Sequence, residues 1–134
     1  SMNGAWEAPV IEHLFVYGTL MSGEVRHGEL SPYIESIEDG SMHGSLYDLD
    51  YFPGVKTGEG IVHGELIKMN DAESCLGNMD SIEGFYGYGN KNSLYERTIV
   101  PVQTNQGMQW AWTYVYSGHV EENTRINSGQ WKQR

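Results

Sequence analysis

"FVYGTL", residues 15–20, opens as a buried strand and breaks at Gly18 directly behind a tyrosine. With the residues before it, "IEHLFVY" at 11–17 reads as a short, largely apolar strand, and "GTLMSGE" is its exit loop. A glycine lets backbone approach a ligand closely, and consecutive amides in a tight loop form a pocket for a carboxylate or a developing oxyanion. The loop has neither Gly-x-x-x-x-Gly-Lys nor Gly-x-Gly-x-x-Gly, so triphosphate and dinucleotide binding find no support.

Working outward, "VRHGELSPYIESI" has room for a short helix stopped or started at Pro32. Two later segments echo each other: "MHGSLYDLD" at 42–50 and "VHGELIKMN" at 62–70. The echo is read as two neighbouring strands bent at a glycine, in preference to a two-histidine metal site built on His43 and His63. Between them "YFPGVKTGEG" reads as a Pro-Gly and Gly-rich connection. After the loose "YGYGNKN" come "LYERTIVPV", "QTNQG" and "MQWAWTYVY", two strands joined by a turn signal. Pro101 places the first of these at an edge or a bulge. In the second, Met108, Trp110, Trp112, Tyr114 and Tyr116 share one face at period two, simplest as core, with an aromatic ligand wall using the same spacing. In the tail only Trp131 stands out as a residue to pack. Many short strands with one clear helix predict an α+β fold, a sheet curled into a small barrel with helices against it.

A chain of 134 residues is long enough to bury a core without staples and is expected to form one domain over residues 11–134. Residues 1–10 read as an extension or tag remnant, with Ser1 before Met2 resembling an expression scar and no signal-peptide pattern. The lone Cys75 and the lack of Cys-x-x-Cys or His-Glu-x-x-His disfavour disulfide, redox and zinc roles. A reducing, cytoplasmic setting fits. A formal charge of −10, from 18 acidic against 8 basic residues, argues against nucleic-acid or anionic-membrane partners. No apolar run approaches the ~20 residues of a membrane span.

"NDAESCLGNMDSIEGF", from residue 70, is the strongest helix, with Asn70 as N-cap, Glu73 completing a capping box and Gly84 at the end. At ~100° per residue Ala72, Cys75, Leu76, Met79 and Ile82 form an apolar stripe, and Glu83 falls inside it. A carboxylate buried there has a raised pKa, the condition for accepting and returning a proton near neutral pH. Two alternatives stand beside this reading: the helix ends before Glu83 and the side chain turns to solvent, or Arg97 neutralises it in a structural pair. Cys75, on the same stripe, reads as core and not as a nucleophile.

These pieces, in order from about residue 13 to 131, resemble the gamma-glutamylcyclotransferase-like family, which includes the gamma-glutamylamine cyclotransferases and the AIG2-like proteins. "FVYGTL" is similar to the family's substrate loop and "MDSIEGF" at 79–85 to its Leu-Asp-x-x-Glu-Gly segment. "LYERTIVPV" matches its Tyr-x-Arg strand, "AWTYVY" its late aromatic strand, and "INSGQW" its C-terminal Ser-Gly-Asp-Trp signature. Met79, Ile67 and Gln130 depart from the family's usual leucine, tyrosine and aspartate. The resemblance implies a small mixed barrel and a reaction with no metal and no organic cofactor. In it a small-molecule gamma-glutamyl amide or peptide cyclises, its α-amine attacking the γ-carbonyl to release 5-oxoproline and a free amine. Glu83 is implied as general base and acid, and the backbone of Gly18, Thr19 and Leu20 as the grip on the glutamyl part. Tyr17, Tyr95 and Tyr116 are candidate hydroxyl donors, or packing residues with their hydroxyls satisfied elsewhere. A non-catalytic module binding a small metabolite in the same fold is the alternative, and no motif addresses the leaving amine or the oligomeric state.

Overall fold

The computed structural model describes residues 10–134, so the expected extension lies, Val10 apart, outside the described residues. The elements run β1 (His13–Val16), α1 (His27–Leu30), β2 (Ile34–Asp48), β3 (Pro53–Met69), α2 (Ala72–Glu83), β4 (Tyr95–Thr104) and β5 (Gly107–Tyr116). The strands close into a barrel in the order β1-β3-β2-β4-β5. β1 runs parallel to β5 at Leu14↔Trp112 and antiparallel to β3, which makes the barrel mixed. Leu14, Phe15 and Val16 are all buried, so β1 has protein on both faces, as its unbroken apolar run requires. This is the expected α+β architecture, a small barrel with flanking helices.

The two echoing segments are indeed neighbours, paired Ser41↔His63 through His43↔Ile61, with a register shift between His43 and Gly44. Both histidines are exposed. Gly64 earns its place by close approach: a Cβ there would run into the Val16 carbonyl.

Three expectations need correction. The "YFPGVKTGEG" stretch is not a connection; from Pro53 on it is the first half of β3, paired with β2 from Asp48↔Pro53 to Gly44↔Thr57. Its Gly58 and Gly60, at φ 140° and 102°, lie in the irregularity of β3 itself, where Ile61 and Thr57 pair with the consecutive His43 and Gly44, so these glycines curve a ladder and do not end it. The turn itself is only Leu49–Phe52, with Asp50 at φ 84°. The N-cap of α2 is Asp71, whose side chain accepts from Ser74 N–H, and not Asn70, whose own N–H is taken by the Tyr33 carbonyl.

The third correction concerns the aromatic face of β5. The side chains turned into the barrel are Ala111 and Thr113, both fully buried, opposite Val100 and Thr98 of β4. The aromatic face lies outside. Tyr114 and Trp112 are covered there by Arg97 and the last turn of α2, whereas Trp110 and Met108 run beyond that cover and are about half exposed. Pro101 stands on β4 beside the thin β2–β4 seam, a single pair at Ser41↔Gln103. The tail straps the barrel: Ile126 N–H bonds the Leu46 carbonyl, His63 N–H bonds the Gly129 carbonyl, and Trp131 is packed at 2 % exposure. Among the described residues no helix is long and apolar enough to cross a membrane.

Candidate active site

Two elements far apart in sequence meet across one cleft between the barrel and the end of α2. On one side, β1 stops at Val16 and the chain turns through Tyr17, Gly18, Thr19 and Leu20, with Met21 N–H bonded to the Gly18 carbonyl at 3.0 Å. Gly18 is needed here for space and not for an unusual φ, because a Cβ would collide with the Pro53 ring. Among the described residues the amides of Gly18, Thr19 and Leu20 have no hydrogen-bond partner, although all three residues are buried. Amides left without a protein partner at a cleft wall are available to an oxygen of a bound molecule.

On the other side stands Glu83, the last residue of α2. The helix reaches it because Gly84, at φ 68° and ψ 41°, makes the left-handed C-terminal turn and returns its N–H to the Asp80 and Ser81 carbonyls. Both alternatives to a cleft-facing glutamate are thereby set aside. Glu83 does not turn away, and Arg97 is engaged elsewhere: its Nε donates to Asp80 Oδ1 at 2.7 Å and its Nη2 to Oδ2 at 3.2 Å. Desolvation by burial lifts the Glu83 carboxyl from 4.5 to about 7, against a smaller opposing pull from the Arg26 guanidinium.

Glu83, Tyr17, Gly18, Thr19, Leu20 and Tyr95 line a single cleft of about 590 Å³, counted to its open mouth. Tyr116 does not reach the wall; it stands behind Tyr95, ring against ring at 5.4 Å, with Lys56 over its face. The hydroxyls of Tyr17 and Tyr95 are committed as well, donating at 2.6 Å to the carbonyls of Tyr114 and Pro53. Burial with the nearby Glu83 charge keeps both phenols protonated. Cys75 is a core thiol pushed up to about 11 by burial and by Asp71.

Sequence reasoning missed Arg26, Phe52, Pro53, Leu94 and Tyr114, which also line the cleft. Tyr114 was visible in the aromatic face. Phe52 and Pro53 arrive from a turn that was misplaced, and Arg26 carried no motif at all.

Compared with known proteins, the family model "Gamma-glutamyl cyclotransferase, AIG2-like" matches residues 14–133. The chain belongs to the gamma-glutamyl cyclotransferase, AIG2-like family. A curated relative is the gamma-L-glutamyl-butirosin B gamma-glutamyl cyclotransferase of Niallia circulans, 33% identical over 122 residues, covering 90% of this chain and 76% of that protein. Among solved structures, YkqA from Bacillus subtilis superposes with a TM-score of 0.70 at 29% identity, over 92% of this chain and 40% of that one. An AIG2-like protein from Mus musculus, at a TM-score of 0.67 and 22% identity over 85% of this chain and 82% of that one, shares the fold.

Proposed function

We propose that the protein cyclises the gamma-glutamyl group of a small amide or peptide to 5-oxoproline, with Glu83 as the proton carrier. The observation that carries this reading is the meeting of a carboxyl poised near pH 7 with three unpartnered loop amides across one cleft. The substrate supplies its own nucleophile. Glu83 takes a proton from its α-ammonium, the freed amine forms a bond to the γ-carbonyl carbon, and the bond from that carbon to the leaving nitrogen breaks. That proton passes from Glu83 to the departing nitrogen as its bond breaks, and the second proton shed by the ring nitrogen goes through the freed carboxylate to the released amine, which leaves as the ammonium, so no water is consumed and the carboxylate is regenerated. The amides of Gly18, Thr19 and Leu20 receive the glutamyl oxygen that carries or develops negative charge. Tyr17 and Tyr95 wall the ring-closing conformer, whose enforced proximity lowers the barrier by several kcal/mol.

The test is release of 5-oxoproline, followed by chromatography, from a panel of gamma-glutamyl amines and amino acids. Glu83→Gln should lower release by roughly 10²–10⁴-fold, the usual worth of a positioned acid-base group, with an unchanged circular dichroism spectrum. Full activity in the glutamine variant would reject Glu83 as the proton carrier.

A further inference from the structure

The two family segments that hold Asp80 and Arg97 have, so far, no part in the reaction. Asp80 lies three residues before Glu83, so the two carboxylates are neighbours on one face of α2. Arg97 sits two residues after Tyr95 on the same face of β4, and its register partner on β5 is Tyr114. Thus a guanidinium from β4 reaches the last turn of the helix that ends at Glu83. Asp80 takes both teeth of Arg97 and also accepts from the Tyr114 hydroxyl at 2.7 Å. Arg97 is further pinned over the Trp112 ring at 4.3 Å. The pair is largely covered, with side-chain exposures of 17% and 21%. Three ties from two strands therefore fix the rotation of the last helical turn, the turn that aims Glu83.

We propose that Asp80 and Arg97 are positioning residues for Glu83: Asp80 holds the guanidinium away from the cleft, and the tie through Arg97 and Tyr114 locks the helical turn that presents the glutamate. The inference rests on Glu83 being the proton carrier. A guanidinium released from Asp80 has a second carboxylate, Glu83, three residues on along the same helix face. Arg26 from the segment after β1, Tyr17 from its loop, Tyr95 from β4 and Tyr114 from β5 line the cleft with Glu83, while Asp80 stands three residues back on the same helix and holds Arg97 of β4. Of these only Arg26 pulls the glutamate down as the molecule stands.

Charge removal on the two sides of the pair should act with opposite sign, which loss of structure alone would not do. Asp80→Asn frees the cation, so the acid limb of kcat/KM should fall by one pH unit or more. The plateau of kcat should drop about tenfold as Glu83 becomes a weaker base. Arg97→Gln leaves an unpaired carboxylate beside Glu83, so the limb should rise. The double variant should return it near the starting position. The same shifts should appear in a 13C NMR titration of the Glu83 carboxyl, assigned with Glu83→Gln, which needs no turnover. If Asp80→Asn does not fold, the upward shift in Arg97→Gln decides alone. Two variants that move the titration in the same direction, or not at all, overturn the positioning role while leaving Glu83 itself to be judged by its own glutamine variant.

Discussion

At Glu83 the role proposed for a single side chain comes with a stability cost. Its folded pKa, about 7, lies above the 4.5 of the free side chain. Between those values the folded protein holds a proton that the unfolded chain has released, so stability falls as pH rises through this window and stays lowered above it. The difference corresponds to about 3 kcal/mol at 1.36 kcal/mol per pH unit. Glu83→Gln should therefore be more stable than the wild-type protein at pH 8 and equal to it at pH 4, read from urea midpoints. A variant no more stable at pH 8 would contradict burial as the cause of the shift. Under the proposed reaction the same titration sets the pH dependence: kcat/KM should rise with pH through an apparent pKa near 7 as the carboxylate forms. A limb near 4.5 would mean that the cleft does not desolvate the carboxyl.

Helix α2 delivers that residue, and its ends are set by two different devices. At the start, Asp71 accepts from Ser74 N–H at 3.2 Å and leaves Asn70 to finish β3, tied to Tyr33 and Pro32. Asp71→Ala should cost about 1 kcal/mol in thermal or urea unfolding, the usual worth of a side-chain cap. Asn70→Ala removes only an exposed 3.3 Å bond and should cost a few tenths. A reversal of the two would restore Asn70 as the cap. At the other end, Gly84 stops the helix one residue after Glu83. The loop after β1 is held to the same frame through Tyr17, whose hydroxyl bonds the carbonyl of Tyr114, the residue that also donates to Asp80. Loop and helix thus share an anchor on β5.

In the whole molecule, barrel closure depends on two thin seams of one residue pair each, β1–β5 and β2–β4. They are not equal. The β1–β5 seam is reinforced by buried side-chain bonds, Thr113 to the Phe15 carbonyl at 2.9 Å and Tyr17 to the Tyr114 carbonyl at 2.6 Å. The β2–β4 seam, beside Pro101, has only Ser41↔Gln103 in its ladder. Local opening should begin there. In native-state hydrogen exchange the Ser41 and Gln103 amides should exchange roughly 100-fold faster than those of Val62 and Leu66 in β3. Equal protection would mean that the barrel opens only as a unit. The cleft sits over the reinforced seam, so local opening need not disturb the site.

How much of this was legible in residues alone follows from the range of the interactions concerned. The order of elements, the break after Tyr17, the hairpin of β4 and β5, and Glu83 within an apolar helical stripe all depend on neighbours a few positions apart, and periodicity and glycine placement record them. Residues 53–60 misled because glycines that bend a strand and glycines that end one look the same locally; only pairing with β2 distinguishes them. Met108 and Trp110 misled because a strand between a barrel and a helix has two coverable faces, and the length of α2 decides how far the outer one is covered. By itself the sequence determined the family, the order of the main elements and the carboxylate to watch. Tertiary structure alone decided that Asp80, and not Glu83, takes Arg97, and that the Gly18 turn faces Glu83. Both contacts join segments brought together only by closing the barrel, and no local pattern encodes which of two adjacent carboxylates a distant guanidinium will meet.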